Sequence, residues 1–270
     1  MRALATIDDW PAPTAAAGLA LRDGTIWTHG ASGVPLPLAS VTKPLIALAA
    51  LVAHEEGSLD LEREAGPPGA TVRHLLAHAS GLSPDSDAVL APPATRRIYS
   101  NRGFEVLGAT LETVTAMPVA RYLREAVVEP LGLVATELRG SPASGASASV
   151  DDLVRVLREL LEPTLITRAT LQEATAVAFP GLDGVLPGFG RQSPNDWGLG
   201  FEVRDRKMPH WTGTMNSPST FGHFGQSGTM FWVDPTAGVA LVCLTDQAFG
   251  PWAIDAWPVL SDAVLTEASG

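Results

Sequence analysis

Three shortages frame this chain. It has one cysteine, Cys243, among 270 residues, so no disulfide framework and no cysteine-based metal site can form within one molecule. Cys243 lies in the apolar run from Val239 to Leu244 and reads as a buried strand residue. Basic residues are outnumbered, 18 Lys and Arg against 29 Asp and Glu for a net charge of −11. No basic run compensates locally, which argues against a nucleic-acid partner. Long apolar runs are also missing: nothing approaches the roughly 18–20 residues of a membrane span. The first ten residues carry acids where a signal peptide needs an apolar core. The expectation is a soluble, cytoplasmic protein without a membrane partner. With 46% hydrophobic residues, the chain can bury a full core as one large unit, residues 1–270.

Lysine is the scarcest charged residue: there are two, Lys43 and Lys207. The first stands in the most apolar stretch of the chain, residues 38–56, closed by Gly57. From Lys43 to Val52 no polar stripe recurs at the helical period, so this helix should be wrapped by protein on every side. Pro44 fits only in a first turn, because proline lacks an N–H and clashes with the carbonyl four residues back. The helix should therefore begin at about Ser40. Ser40 and Lys43 then share one turn at its positive end. A desolvated lysine loses its proton more readily, and a neutral amine beside a hydroxyl can activate it. The alternative is a capping serine with an outward lysine.

Elsewhere, residues 16–22 and 25–29 around Asp23-Gly24 read as a β-hairpin. Residues 71–78 form a short helix whose His74 and His78 have the i, i+4 spacing of zinc ligands. No neighbouring Glu of the hydrolase type and no third ligand accompany them, so no metal is assigned. Tyr99-Ser-Asn101 precedes a helix with Phe104, Leu107, Leu111 and Val114 on one face, and Asn101 would serve as its N-cap. Residues 118–133 give another helix, and Ser149-x-x-Asp152 is a capping box opening a helix through Leu161. Strand character returns at 197–203, 220–224, 229–233 and 239–244, before a last helix over 252–267 that Pro258 could restart. Strands from both chain ends (about 1–55 and 190–270) with mainly helical residues 56–189 between them make an α/β protein: a sheet carrying an inserted helical region.

Ser40-Val-Thr-Lys43, Tyr99-Ser-Asn101 and His223-Phe-Gly225 occur in this order on a helix start, a loop between helices and a strand. Together they resemble the motifs of the penicillin-recognising serine hydrolases: class C β-lactamases, DD-carboxypeptidases and family VIII esterases. Residues 72–82, Glu129-Pro-Leu-Gly-Leu133, Trp197-Gly-Leu-Gly200 and the run from Gly222 to Thr229 resemble further segments of that family. The resemblance implies a β-lactamase-like fold, with an antiparallel sheet flanked by helices. It also implies an acyl-enzyme mechanism on an ester or amide, with a small-molecule substrate and no cofactor. By position it makes Ser40 the nucleophile, Lys43 the amine that helps deprotonate it, and Tyr99 a phenolate or proton relay. Asn101 and His223 would contact substrate, and Gly225 would let the substrate backbone approach the strand edge. The backbone N–H groups of Ser40 and Gln226 would form the oxyanion hole. The chain is short, and its first residues do not read as an export signal. Both features favour an esterase, amidase or D-amino-acid peptidase over a strong β-lactamase. A binding protein on the same fold, acylated without turnover, is the other class.

Overall fold

The computed structural model describes residues 1–269. Its centre is a six-stranded, wholly antiparallel sheet made from both ends of the chain. The hairpin of β1 (Ala15–Leu21) and β2 (Ile26–Gly30) supplies one edge. The distal part of the chain adds β3 (Glu202–Val203), β4 (Phe221–Gly225), β5 (Thr229–Asp234) and β6 (Val239–Thr245). The spatial order is β2-β1-β6-β5-β4-β3, with β1 and β6 paired from Ala15↔Thr245 to Leu21↔Val239. The hairpin turn is the one expected: Gly24 takes φ +92°, and the Asp23 carboxylate accepts the Thr25 N–H at 2.9 Å.

Strand alternation fills two cores. Phe231 and Val233 of β5, with Val242 and Leu244 of β6, face the larger one; Met230, Trp232, Leu241 and Cys243 face the other. Helix α5 (Val150–Leu161) covers the first face. Gly18 of β1 makes this possible, because a Cβ there would lie 2.4 Å from a Val154 methyl. Helix α7 (Pro251–Ala268) and a 3₁₀ segment at Ala3–Asp9 cover the second face. Proline 258 does not restart α7 but sits inside one continuous helix. Trp257, Leu260 and Val264 on its buried face outweigh the lost hydrogen bond.

Helix α1 (Thr42–Glu55) is buried from Thr42 to Ala53 and ends before Gly57 at φ +77°. Each of its large side chains, such as Ile46 and Leu48, contributes about 1.5–3 kcal/mol by leaving water. Residues 56–189 hold α2 (Val72–Leu76), α3 (Asn101–Thr115), α4 (Val119–Leu123), α5 and α6 (Arg168–Thr175). The helix expected over 118–133 is shorter and passes into a π turn at Arg124–Val128. The strand expected over 197–203 shrinks to β3. Ser149 does cap α5, but the Asp152 carboxylate leaves the box to accept the N–H groups of Val134 and Ala135 and the Thr136 hydroxyl. Among the described residues no helix is long and apolar enough to cross a membrane.

Candidate active site

The site forms where the turn before α1, the chain entering α3 and the end of β4 converge. Ser40 lies in a 3₁₀ turn, Ala39–Val41, immediately before α1. Ala39 there adopts φ +45°, a left-handed conformation that a side chain disfavours. The turn is tied to the sheet through the Thr229 hydroxyl, which donates to the Leu38 carbonyl at 2.9 Å, and the Ser227 hydroxyl, which donates to the Pro37 carbonyl at 2.7 Å. Gly225 serves the same junction. A Cβ on it would meet the Leu38 carbonyl at 2.4 Å, so its missing side chain admits the protein's own backbone.

Lys43 does not point outward. It is fully buried, and its Nζ lies 3.3 Å from Ser40 Oγ, 2.7 Å from Asn101 Oδ1 and 2.9 Å from the Ala143 carbonyl. A neutral amine has two N–H donors and one lone pair. The amide oxygen and the carbonyl can only accept, so they take the two N–H bonds and leave the lone pair for Ser40. Burial brings this amine down to about 7, with Asp85 and Glu105 pulling weakly the other way.

Tyr99 packs against the ring of His78, with centroids 4.5 Å apart, and its hydroxyl lies 3.5 Å from His223 Nε2. Burial pushes the phenol well above its ordinary value, and the neighbouring Ser40 hydroxyl offsets this only in part. His223 donates from Nδ1 to the Phe224 carbonyl at 2.7 Å, which leaves Nε2 as an acceptor facing Tyr99. Burial, assisted by the Lys43 charge, brings His223 down to about 3. At neutral pH the group is thus a neutral phenol and a neutral imidazole beside an amine near its midpoint.

Asn101 is the first residue of α3, not its cap. Ser100 is the cap, its hydroxyl accepting the Gly103 N–H at 2.9 Å. The Asn101 amide instead bridges Lys43 and Asp85, donating to Asp85 Oδ1 at 2.8 Å. Ser40, Tyr99, Asn101, His223 and Gln226 line a pocket of about 100 Å³, and among the described residues no lysine or arginine lines it. A wider cleft of about 870 Å³ shares Tyr99 and Asn101 with it. Among the described residues the Ser40 and Gln226 N–H groups have no acceptor within the protein. His74 and His78 do not form a pair of free ligands, since each Nδ1 accepts a backbone N–H, from Thr71 and from Ser100 respectively.

Sequence reasoning missed Asp85, His78 as the support behind Tyr99, and Glu202. The buried Glu202 carboxylate reaches the pocket wall and is held by Lys207, His210 and Trp211. Burial alone would raise this carboxylate, but Lys207 and His210 outweigh it and hold it well below the usual range. No motif spacing marks Asp85 or Glu202, and the spacing that marks His78 points to a metal rather than to Tyr99.

A family model described as Beta-lactamase matches residues 12–264. The chain belongs to the β-lactamase family. A β-lactamase crystal structure from Mycobacterium bovis is 55% identical, with TM-score 0.98 over 99% of this chain and 100% of that one. The fold is also that of EstCE1, a hydrolase with promiscuous acyltransferase activity, at TM-score 0.81 and 20% identity over 96% of this chain and 95% of that one. A curated Salmonella paratyphi B relative named "Putative D-alanyl-D-alanine carboxypeptidase" is 26% identical over 59% of this chain. This β-lactamase-family chain spans 47% of that relative's length. That family places the chain in the superfamily of β-lactamases and penicillin-binding proteins.

Proposed function

We propose that this β-lactamase-family enzyme hydrolyses uncharged esters through an acyl-enzyme on Ser40. The observation that carries the reading is the setting of Lys43, whose Nζ lies 2.7 and 2.9 Å from two pure acceptors and 3.3 Å from Ser40 Oγ, so that the neutral amine has its lone pair left for the serine. Lys43 takes the hydroxyl proton as Ser40 Oγ bonds to the ester carbonyl carbon. The oxyanion is held by the Ser40 and Gln226 N–H groups, each worth about 3 kcal/mol. Collapse breaks the bond to the leaving oxygen, which receives the Tyr99 proton, and the Lys43 ammonium restores the phenol. Water then enters, gives a proton to the regenerated amine and takes the acyl group; the proton returns to Ser40. A raised phenol pKa supports Tyr99 as a neutral proton carrier rather than a standing phenolate.

The preference for uncharged substrates rests on the electrostatics of the pocket. His223 is neutral, no lysine or arginine lines the wall, and the Glu202 carboxylate lies behind it. A carboxylate-bearing peptide or β-lactam meets no permanent cation within this pocket, since Arg96, Arg97 and Arg191 line the wider cleft instead. Purified enzyme offered a short p-nitrophenyl ester, a chromogenic cephalosporin and a D-alanyl-D-alanine peptide should turn over the ester fastest, and Ser40→Ala should lose it. Faster cephalosporin or peptide turnover would overturn the substrate preference. Ester turnover surviving in Ser40→Ala would overturn the nucleophile, and a stable adduct without turnover would make the chain a binder.

A further inference from the structure

Asn101 has a side-chain amide whose two ends differ chemically but not in shape. With the oxygen toward Lys43, it uses up an amine N–H. With the nitrogen toward Lys43, it would donate to the amine lone pair and compete with Ser40 for it. Which way the amide faces therefore decides whether the amine can serve as a base. Asp85 settles the choice: a carboxylate can only accept, so the Asn101 Nδ2 that donates to it at 2.8 Å must face outward and Oδ1 inward. We propose that Asp85 is a positioning residue, which fixes the Asn101 amide and through it keeps the Lys43 lone pair on Ser40.

The loop carrying Asp85 is fastened for this task. The Arg102 N–H donates to the Pro84 carbonyl at 3.0 Å, the Ser100 hydroxyl donates to the Ser83 carbonyl at 2.7 Å, and Asp87 pairs with Arg102 at 2.6 Å. Asp85 itself is exposed at the rim of the wide cleft, and among the described residues it is in no salt bridge. Its negative charge also favours the Lys43 ammonium more than that of Glu105 does; the groups facing the amine from the other elements are Tyr99, His223 and His78. Removing the carboxylate should thus loosen the amide and withdraw a charge that favours the ammonium.

The proposal rests on Lys43 acting as the base, and the test separates the two. Lysine labelled with ¹³C at Cε gives two signals, since the chain has only Lys43 and Lys207, and the Lys43→Arg variant identifies them. In Asp85→Asn the Lys43 midpoint should fall by about half a unit, less at high salt because Asp85 is exposed. Ester kcat should fall about tenfold with KM little changed, and Asp85→Glu should recover part of it. Thermal stability measured alongside should be unchanged. A Lys43 midpoint and a kcat both unmoved in Asp85→Asn would overturn the proposal, and a loss of kcat tracking a loss of stability would reduce Asp85 to a loop anchor. A moved midpoint with an unmoved acid limb of the rate profile would leave the coupling of Asp85 to Lys43 standing and remove Lys43 as the base.

Discussion

The two lysines of this chain are both buried, at 0% and 4% exposure, and they teach opposite lessons. Lys207 donates to the Asp196 carbonyl, the Glu202 carboxylate and the Val203 carbonyl. Three pure acceptors, one of them charged, are what three ammonium N–H groups require. Lys43 has two pure acceptors and a hydroxyl, with no carboxylate in contact. Burial lowers both amines, but only Lys207 has an adjacent carboxylate to oppose it, Glu202. One lysine closes an ion pair that holds β3 and the following loop; the other is left one partner short, beside a serine. Burial alone does not make a lysine reactive. The count and charge of its acceptors do.

The difference can be broken from either side. Lys43→Met should lower ester kcat/KM by on the order of 10⁴-fold or more while the protein folds as before. Its stability should even gain at neutral pH. The native amine at about 7 lies below the unfolded value near 10.5, so between these values the unfolded chain binds more protons. Wild-type stability should therefore rise with pH across that window, and the advantage of Lys43→Met should shrink, as thermal melts at pH 7 and pH 10 would show. Lys207→Met is the reverse case. It strands a buried Glu202 carboxylate and should cost about 3–5 kcal/mol of stability by denaturant titration, with a smaller loss of activity per folded molecule. A still smaller effect is expected from His223→Lys, which brings a cation to the pocket. The kcat/KM ratio for a carboxylate-bearing ester over its neutral analogue should rise roughly tenfold, about 1.4 kcal/mol of charge pairing.

Much of this site was legible from local sequence. Pro44 placed the start of the buried helix, the apolar run around Lys43 announced its burial, and three short motifs named the side chains that meet. The sheet followed from alternating apolar residues at both ends of the chain. What escaped was non-local or chemically silent in sequence. Asp85 sits in a Pro- and Asp-rich loop indistinguishable from solvent-facing chain. Nothing in the strand around Gly225 shows that the 38–40 turn packs against it. Ser100 displaced Asn101 as the helix cap because Lys43, 58 positions earlier, claims the Asn101 amide. The Asp152 box failed for a similar reason, since a loop at 134–136 offered its carboxylate three donors. Side chains with several possible partners go to the one that tertiary structure brings near, and spacing along the chain does not reveal it.

The contrast between the two lysines is open to direct observation in the wild-type enzyme. A ¹³C titration of the labelled lysines should show the Lys43 amine losing its proton with a midpoint near 7, in step with the rise of ester kcat/KM, while Lys207, beside the Glu202 carboxylate, holds its proton more firmly. Two midpoints both in the ordinary lysine range near 10 would contradict the account, for Lys43 would then be a buried ammonium with no proton to accept from Ser40.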